Sequence, residues 1–285
     1  MIQSMTGFGK HVVQLPGKKI TVEVKSLNSK NLDINARVPQ AYRERELQFR
    51  DKIARELQRG KVDLGIYVEL TGDEPTAEIN RGVVQKYMEQ LGEIAQGDRV
   101  RLLEMALRLP DSLRTEREEI DPAEFKVIAR ALEEALGSLN QFRSEEGKAL
   151  EADFRMRTQT IEQLLAQVGE LDRDRLAAVR ERLERAVAEL RENVDANRFE
   201  QELIYYLEKY DITEEKVRLA KHLDYFQKSL DSDDSNGKKL GFICQEIGRE
   251  INTIGSKAND APMQRIVVQM KDELEKIKEQ ILNVL

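Results

Sequence analysis

Apolar and polar residues alternate along three stretches of the first seventy positions, namely 20–25, 32–38 and 62–70. A period of two is typical of a half-buried β-strand, and residues 6–13 supply a further candidate strand. Between these strands, residues 42–57 place Leu47, Phe49, Ile53 and Leu57 on one side of a predicted helix. The pattern therefore predicts a small sheet around a helix, with a break at residues 59–61.

The rest of the chain has helical spacing. Residues 80–139 are mainly helical in pattern, and Pro122, after Asp121, is suited to opening a helix. Residues 141–210 predict a long helical segment with a coiled-coil-like seam, interrupted near 195–197. The seam residues follow three- and four-residue steps: Leu176, Val179, Leu183, Ala186, Leu190 and Val194. Further helices are predicted from Thr213, over 239–259 and from Pro262.

These patterns predict an α+β protein with two parts. Residues 1–150 form a mixed α/β domain with a small sheet, and residues 151–285 form a long-helix, coiled-coil-like α-helical domain. The sequence lacks the basic and apolar regions of a signal peptide and any apolar run long enough to cross a bilayer. We therefore expect a cytoplasmic protein without membrane association.

Net charge and cysteine content limit the functions that this chain could have. The formal net charge of −7 is unlike that of a general nucleic-acid coat protein, although local basic patches can override the mean. Cys244 is the single cysteine, so no disulfide can form within the chain. A buried, inert thiol and a catalytic thiol are the two interpretations of Cys244.

The predicted helix over 239–259 carries paired carboxylates. Leu240, Ile243, Ile247, Ile251, Ile254 and Ala258 form its apolar stripe. Two polar rows border the stripe: Glu246, Glu250, Thr253 and Lys257 in one, and Gln245, Arg249, Asn252 and Ser256 in the other. Glu246 and Glu250 lie one turn apart and can reach a single hard cation, or they form surface ion pairs with cationic neighbours. Gly248 and Gly255 weaken the helix locally, which indicates close approach by another helix or by a phosphate backbone.

His222 is the second candidate, and it shares a helix face with Glu215 and Arg218 at steps of three and four. Its imidazole can move a proton or bind a metal, or it can simply pack between helices. A third feature is basic. Residues 37–61 contain eight Arg or Lys against four Asp or Glu, which suits phosphate binding or a solvated amphipathic helix.

Several segments together resemble the YicC family along nearly the whole chain. The segments are 1–8, 59–62, Glu146-Gly147, 197–202, Glu214-Glu215 with Arg218 and His222, and 245–257. The sequence departs from the family pattern at 238–242, where the family shows an Arg and an Asp before the Phe, and in lacking the final Glu. The resemblance implies an endoribonuclease, a hydrolase of RNA phosphodiester bonds, that acts in RNA turnover with a divalent cation, Mn or Mg. It also implies a ring-like homo-oligomer, with a hexamer expected, that encloses RNA.

These considerations assign candidate roles. His222, Glu246 and Glu250 are the catalytic and metal-binding candidates. The RNA-binding candidates are Arg37, Arg59, Lys61, Arg198, Arg218, Arg249, Asn252 and Lys257. Attack by the 2′-hydroxyl of RNA, with His222 as proton carrier, is the alternative mechanism. A non-catalytic RNA-binding adaptor or chaperone that delivers RNA to other nucleases is the alternative function, and a coiled-coil scaffold is a third.

Overall fold

The structure is a computed structural model that describes residues 2–71, 78–94, 97–114, 121–189, 196–232 and 237–285. Within these ranges, the side chains at positions 114, 174, 176, 183, 187, 189 and 196–199 lie outside the description. The predicted α+β class is confirmed, because a small sheet occupies the first part of the chain and long helices form the rest.

Four strands form the main sheet: β1 (Gly7–Leu15), β2 (Lys18–Leu27), β3 (Leu32–Arg37) and β4 (Gly60–Leu70). Their order is β1-β2-β4-β3, with β3 and β4 parallel and the other two pairs antiparallel. The parallel pair needs a crossover, which is made by a 3₁₀ turn (Gln40–Arg45) and helix α1 (Glu46–Glu56). The predicted break before β4 is confirmed at Gly60, whose φ of 126° suits glycine.

Alternation in the strands buries one face of the sheet. Ile20, Val22 and Val24 of β2 are fully buried, and they pack with Phe49 and Ile53 of α1 in one hydrophobic cluster. The prediction was wrong for Leu47, which is 73% exposed. Burial of the other apolar residues of α1 fixes the helix against the sheet, and Leu47 falls on the opposite side.

A smaller unit follows the sheet. It contains strands β5 (Glu78–Ile79) and β6 (Leu113–Arg114) and helices α2 (Arg81–Ile94) and α3 (Arg99–Leu107). The two strands pair antiparallel, and α2 packs against α3. The mainly helical character predicted for 80–139 is therefore confirmed for the described residues.

Helix α4 (Pro122–Glu189) is a single helix of 68 residues. It begins at the predicted Pro122, where the Asp121 carboxylate accepts a hydrogen bond of 2.9 Å from the Ala123 amide. Its first half packs on the sheet, and its second half joins a separate helical core. The domain boundary predicted at 150/151 thus falls inside one continuous helix.

The predicted coiled-coil-like seam is described only in part. Val179 is half-buried and Ala186 is exposed. The side chains of Leu176 and Leu183, and the whole of residues 190–195, lie outside the described residues. The predicted interruption near 195–197 lies outside them as well.

Four helices complete the second core: α5 (Ala196–Tyr210), α6 (Thr213–Leu230), α7 (Gly237–Ala258) and α8 (Ala261–Ile281). The predicted start of α6 at Thr213 is confirmed, and Pro262 lies in the first turn of α8 as predicted. The whole predicted stripe of α7 is buried. It packs with Leu219 and Leu223 of α6 and with Met270 and Leu274 of α8.

Cys244 belongs to this helical core. Its side chain is buried, and burial raises the pKa of the thiol to about 12. A thiol of that pKa is almost wholly protonated near neutrality, so the interpretation as an inert core residue is confirmed.

The segment that precedes β1 joins the two cores. Ile2 is buried in the helical core, Ser4 forms an antiparallel bridge with Val284, and the Met5 amide donates to the Asn283 carbonyl at 2.8 Å. Arg143 of α4 is buried beneath this segment and donates to the Met5 carbonyl at 3.1 Å. Burial lowers the pKa of that guanidinium.

Across the described part of the chain, no helix combines the length and apolar character that crossing a bilayer requires.

Candidate active site between two helices

A surface cavity of about 430 Å³ lies between α6 and α7. The apolar stripes of both helices face the core, which leaves their polar borders side by side. Eight residues line the cavity: Glu215, Arg218, Lys221 and His222 from α6, and Glu246, Arg249, Glu250 and Thr253 from α7. The structure therefore brings His222, Glu246 and Glu250 to one place, together with the predicted phosphate ligands Arg218 and Arg249.

The three cavity carboxylates differ in their surroundings. Glu246 is largely exposed, and its Oε2 lies 4.0 Å from Nη1 of Arg249. Glu250 is only 5% exposed, yet it forms no hydrogen bond or ion pair with any described residue. Its carboxylate oxygens still reach the cavity, because Oε2 of Glu215 is the one carboxylate oxygen of the described residues that is both buried and without a partner. The charge of Glu250 is therefore open to a cationic ligand that enters the cavity.

Glu215 is the third carboxylate, and its side chain is 8% exposed. Its Oε1 accepts a bond of 2.7 Å from Nζ of Lys257, whereas its Oε2 is buried without a partner among the described residues. The Lys257 ammonium also donates to the Asp211 carbonyl at 3.0 Å. Lys257 thus acts as a brace behind the cavity and is not among the residues that line it.

The cationic groups stand at the mouth of the cavity. Arg249 and Arg218 are exposed, with side-chain exposures of 76% and 56%, and Lys221 is exposed as well. Arg218 is paired with Glu214 one turn earlier on α6. His222 is half-buried and has no hydrogen bond to a described residue. Its ring nitrogens are therefore available to a ligand.

A buried polar network holds the helix ends behind the cavity. Arg175 of α4 donates to the carbonyls of Lys257 and Ala258, at 3.1 and 2.9 Å, and to the Tyr210 carbonyl at 2.5 Å. Its charge is balanced by Asp172 at 2.8 Å. The ends of α5 and α7 are thereby tied to α4.

Asp211 stands beside this network at the start of α6. Hydrogen bonds from the Thr213 hydroxyl and then from its amide lower the pKa of the Asp211 carboxyl. The carboxylate accepts both bonds, at 2.6 and 2.9 Å. These bonds fix the first turn of α6, which contains Glu215.

The donor set of the cavity suits a hard divalent cation. The carboxylate oxygens of Glu246 and Glu250 are the ligand type that Mg²⁺ or Mn²⁺ prefers, whereas the imidazole of His222 is a ligand more typical of softer transition metals. No described cation pairs with Glu250, which leaves its charge available to a metal ion. Among the described residues, no three His, Cys, Asp or Glu side chains are grouped closely enough to hold an ion by themselves. A cation here would therefore need water or substrate oxygens as further ligands.

The remaining predicted RNA ligands lie elsewhere or have other contacts. Arg37 lines a second, shallow cavity on the outer face of the sheet, and Lys61 is exposed at the start of β4. Arg59 donates to the Val284 carbonyl at 2.8 Å, which makes it a link between the two cores. Asn252 is exposed on α7 beside the cavity lining. The side chain of Arg198 lies outside the described residues.

Sequence reasoning did not assign Glu215, Lys221 and Thr253 to the site. The helical spacing already placed Glu215 on the face of His222 and Thr253 in the row of Glu250. What the spacing could not show is that Glu215 is buried. The two glycines of α7 are explained by α8, because added Cβ atoms would lie 3.2 Å from Leu274 Cδ2 at Gly248 and 2.9 Å from Val267 Cγ1 at Gly255. A helix, and not a phosphate backbone, makes the expected close approach.

Comparison with known proteins agrees with this architecture. Residues 2–152 match the family model described as "Endoribonuclease YicC-like, N-terminal region", and residues 168–285 match "Endoribonuclease YicC-like, C-terminal". The chain is 35% identical to a protein of Clostridioides difficile (strain 630) named "Probable endoribonuclease YicC". It is 29% identical to a protein of the same name from Haemophilus influenzae. Both similarities cover the full length of both chains. The chain therefore belongs to the YicC-like endoribonuclease family.

Proposed function

We propose that this chain is an endoribonuclease that cleaves RNA phosphodiester bonds in the cavity between α6 and α7. The observation that carries the proposal is the meeting of His222, Glu246 and Glu250 with three cationic side chains in one cavity. Proton-transfer groups and phosphate ligands are the two requirements of phosphodiester cleavage. The names of the relatives supply RNA as the substrate class.

The cationic rim binds the backbone of the RNA. Arg218 and Arg249 present guanidinium groups that can donate two parallel hydrogen bonds to a phosphate, and Lys221 adds a third positive charge. Because all three are exposed, a phosphate can reach them from solvent without any rearrangement of the helices. Their charge also offsets the negative charge that develops on the phosphate in the transition state.

His222 is the group best suited to move a proton, because one imidazole can both accept and donate a proton through its ring nitrogens. Glu246 and Glu250 would hold a divalent cation, which His222 would help to position. When bound, that cation would supply charge neutralisation at the phosphate and activation of a water molecule. In the alternative reaction the RNA 2′-hydroxyl is the nucleophile and His222 carries its proton. Hydrolysis can leave a 5′-phosphate, whereas 2′-hydroxyl attack leaves a cyclic phosphate or a 3′-phosphate, so analysis of product ends separates the two.

The test uses purified protein and end-labelled RNA, with and without EDTA. His222→Ala and Glu246→Ala should each lower the cleavage rate by about 10²-fold or more, as expected for loss of a general acid or base. Two variants are matched controls: His11→Ala, which removes the other histidine, and Glu162→Ala, on the exposed side of α4. Both should cleave at the wild-type rate.

Cleavage that survives the double variant His222→Ala, Glu246→Ala would come from a contaminating nuclease. Retained RNA binding would then favour the adaptor function, for which the lack of a three-ligand group among the described residues is the supporting observation. Failure to bind RNA even at low salt, where phosphate contacts are strongest, would favour the scaffold.

The assembly is part of the same proposal. We expect a homo-oligomer, with six subunits as the number that the family resemblance implies, acting on cytoplasmic RNA. Ile204 and Tyr205 of α5 are more than half exposed, and such apolar groups are available for contacts between copies. Light scattering during size-exclusion chromatography measures the subunit number directly.

A further inference from the structure

The two oxygens of Glu215 are in different situations. Oε1 is bonded to the Lys257 ammonium, whereas Oε2 is buried and accepts no hydrogen bond from any described residue. A buried acceptor left without a donor carries most of its desolvation cost. Glu215 also forms part of the cavity wall, so a donor that reaches it from solvent would enter through that cavity.

The kind of donor follows from charge. The negative charge of Glu215 is already balanced by Lys257 at 2.7 Å, so what Oε2 lacks is a hydrogen bond and not a counter-charge. Glu250 is the opposite case, because no cationic described residue pairs with it. A cation is therefore drawn to Glu250, and a neutral O–H or N–H donor is drawn to Glu215.

The position of the proposed phosphate ligands indicates which neutral group of a nucleotide can reach Glu215. Arg218, one turn from Glu215 on α6, and Arg249 across the cavity are the proposed phosphate ligands. In a ribonucleotide the 2′-hydroxyl lies beside the 3′-phosphate, whereas the donors of the base lie on the far side of the sugar. A strand held by its phosphate at this rim therefore presents a 2′-hydroxyl before it presents a base edge.

We propose that Oε2 of Glu215 accepts a hydrogen bond from a ribose 2′-hydroxyl of the bound strand, and that Glu215 thereby selects RNA over DNA. The 2′-hydroxyl is the group by which proteins tell the two nucleic acids apart at a given site. Lys257 is a positioning residue, because it holds Oε1 and so leaves Oε2 for the ligand. This inference rests on the proposed function, since it requires RNA to occupy the cavity.

The experiment measures the affinity of the full-length protein for a short single-stranded RNA by fluorescence anisotropy, in EDTA, with probe integrity checked on a gel. The probes carry a single 2′-fluoro substitution that is moved along the strand. Fluorine keeps the sugar pucker of RNA but cannot donate a hydrogen bond. For the wild type, we expect one position at which the substitution weakens binding about tenfold, the size of a lost hydrogen bond to a charged group.

Glu215→Gln is the informative variant. Only its amide oxygen can accept from Lys257, so its NH₂ group is left facing the ligand as a donor. The 2′-hydroxyl can accept from this NH₂ group, but that neutral bond is weaker than the bond to a carboxylate, so the penalty for fluorine at the sensitive position should fall from about tenfold to about threefold. Glu250→Gln is the matched control, because it is the same isosteric change in the same cavity. It should alter the affinity for both probes equally and leave the fluorine penalty in place.

The other outcomes separate the alternatives. A flat fluorine profile in the wild type overturns the inference, and this result stands even if Glu215→Gln does not fold. An unchanged fluorine penalty in a folded Glu215→Gln variant overturns it as well. Loss of discrimination between bases that carry and lack an amino group would identify a base as the partner. Loss of Mn²⁺ binding in calorimetry without RNA would make Glu215 a cation ligand. A different result would contradict the proposed function itself. If RNA does not bind in this cavity, Arg218→Gln and Arg249→Gln will leave the affinity for RNA unchanged.

Discussion

Replacing Arg175 with methionine would test whether the buried network stabilises the helical part of the molecule. The guanidinium is 6% exposed and balances Asp172, which is equally buried. It donates to the carbonyls of Tyr210, Lys257 and Ala258, which end α5 and α7. Methionine keeps much of the length and apolar volume of the side chain but removes every donor.

The expected loss follows from these contacts. Three carbonyls lose a donor, and each costs about 1 kcal/mol. Breaking a buried ion pair from one side costs about 3–5 kcal/mol, but Asp172 keeps a second partner, because Lys216 Nζ lies 2.7 Å from its Oδ2. The lower end of that range therefore applies. We expect Arg175→Met to lower the free energy of unfolding by about 6 kcal/mol, of which about half comes from the carbonyls and about half from the ion pair.

Urea unfolding, followed by far-ultraviolet circular dichroism and analysed by linear extrapolation, measures this loss. Arg180→Met is the matched control, because it makes the same substitution in the same helix, less than two turns after Arg175. Arg180 pairs with Glu184 at 2.9 Å on an exposed surface. Its replacement should leave the unfolding midpoint where it is in the wild type.

A loss of less than about 1 kcal/mol, typical of an ordinary substitution, would refute the reasoning. It would mean that the carbonyls at the ends of α5 and α7 find other donors at little cost. Equal effects of Arg175→Met and Arg180→Met would likewise show that burial adds nothing to this ion pair.

Further predictions concern packing and thiol reactivity. Gly137→Ala should stabilise the protein by about 1 kcal/mol through helix propensity, because a Cβ there meets no atom within 4 Å. Gly147→Ala, in the same helix, should instead destabilise it by about 2 kcal/mol, because the Cβ would lie 2.1 Å from the Ile2 carbonyl oxygen; thermal unfolding of both variants checks the opposite signs. Cys244, with its pKa raised to about 12 by burial, should resist a thiol reagent at pH 8 until urea unfolds the chain. Labelling of the native protein as fast as that of free cysteine would contradict its burial.

Local periodicity was sufficient for much of the fold. The alternation at Ile20, Val22 and Val24 correctly predicted a buried strand face, and helix signals such as Pro262 correctly predicted where α8 begins. The single long helix α4 was not predicted, because residues 139–141 carry no signal that distinguishes a continuous helix from a turn. The exposure of Leu47 was not predicted either. Apolar residues occur on more than one side of α1, so the sequence does not show which side is buried.

The candidate site was predicted one helix at a time. Residue spacing placed His222 beside Arg218 on one helix and Glu246 beside Glu250 on another. The packing of α6 against α7 is tertiary structure, which the spacing within either helix does not predict. Lys257 illustrates the limit. Its position in a polar row predicted an RNA ligand, whereas the structure pairs it with buried Glu215. A pairing between helices depends on their relative placement, which no pattern within one helix encodes.

The bridge between Ser4 and Val284 has a consequence for any attempt to study the parts of this protein separately. Ile2 fills a place in the helical core beside residues such as Phe154 and Val284. A fragment that begins at residue 168, where the C-terminal family model starts, would lack both Ile2 and Phe154 and would expose the apolar groups that they cover. Such a fragment should aggregate or unfold, and supplying residues 2–5 on a flexible tether would not replace the missing half of α4. The half of the molecule that holds the proposed site is therefore a poor candidate for expression on its own.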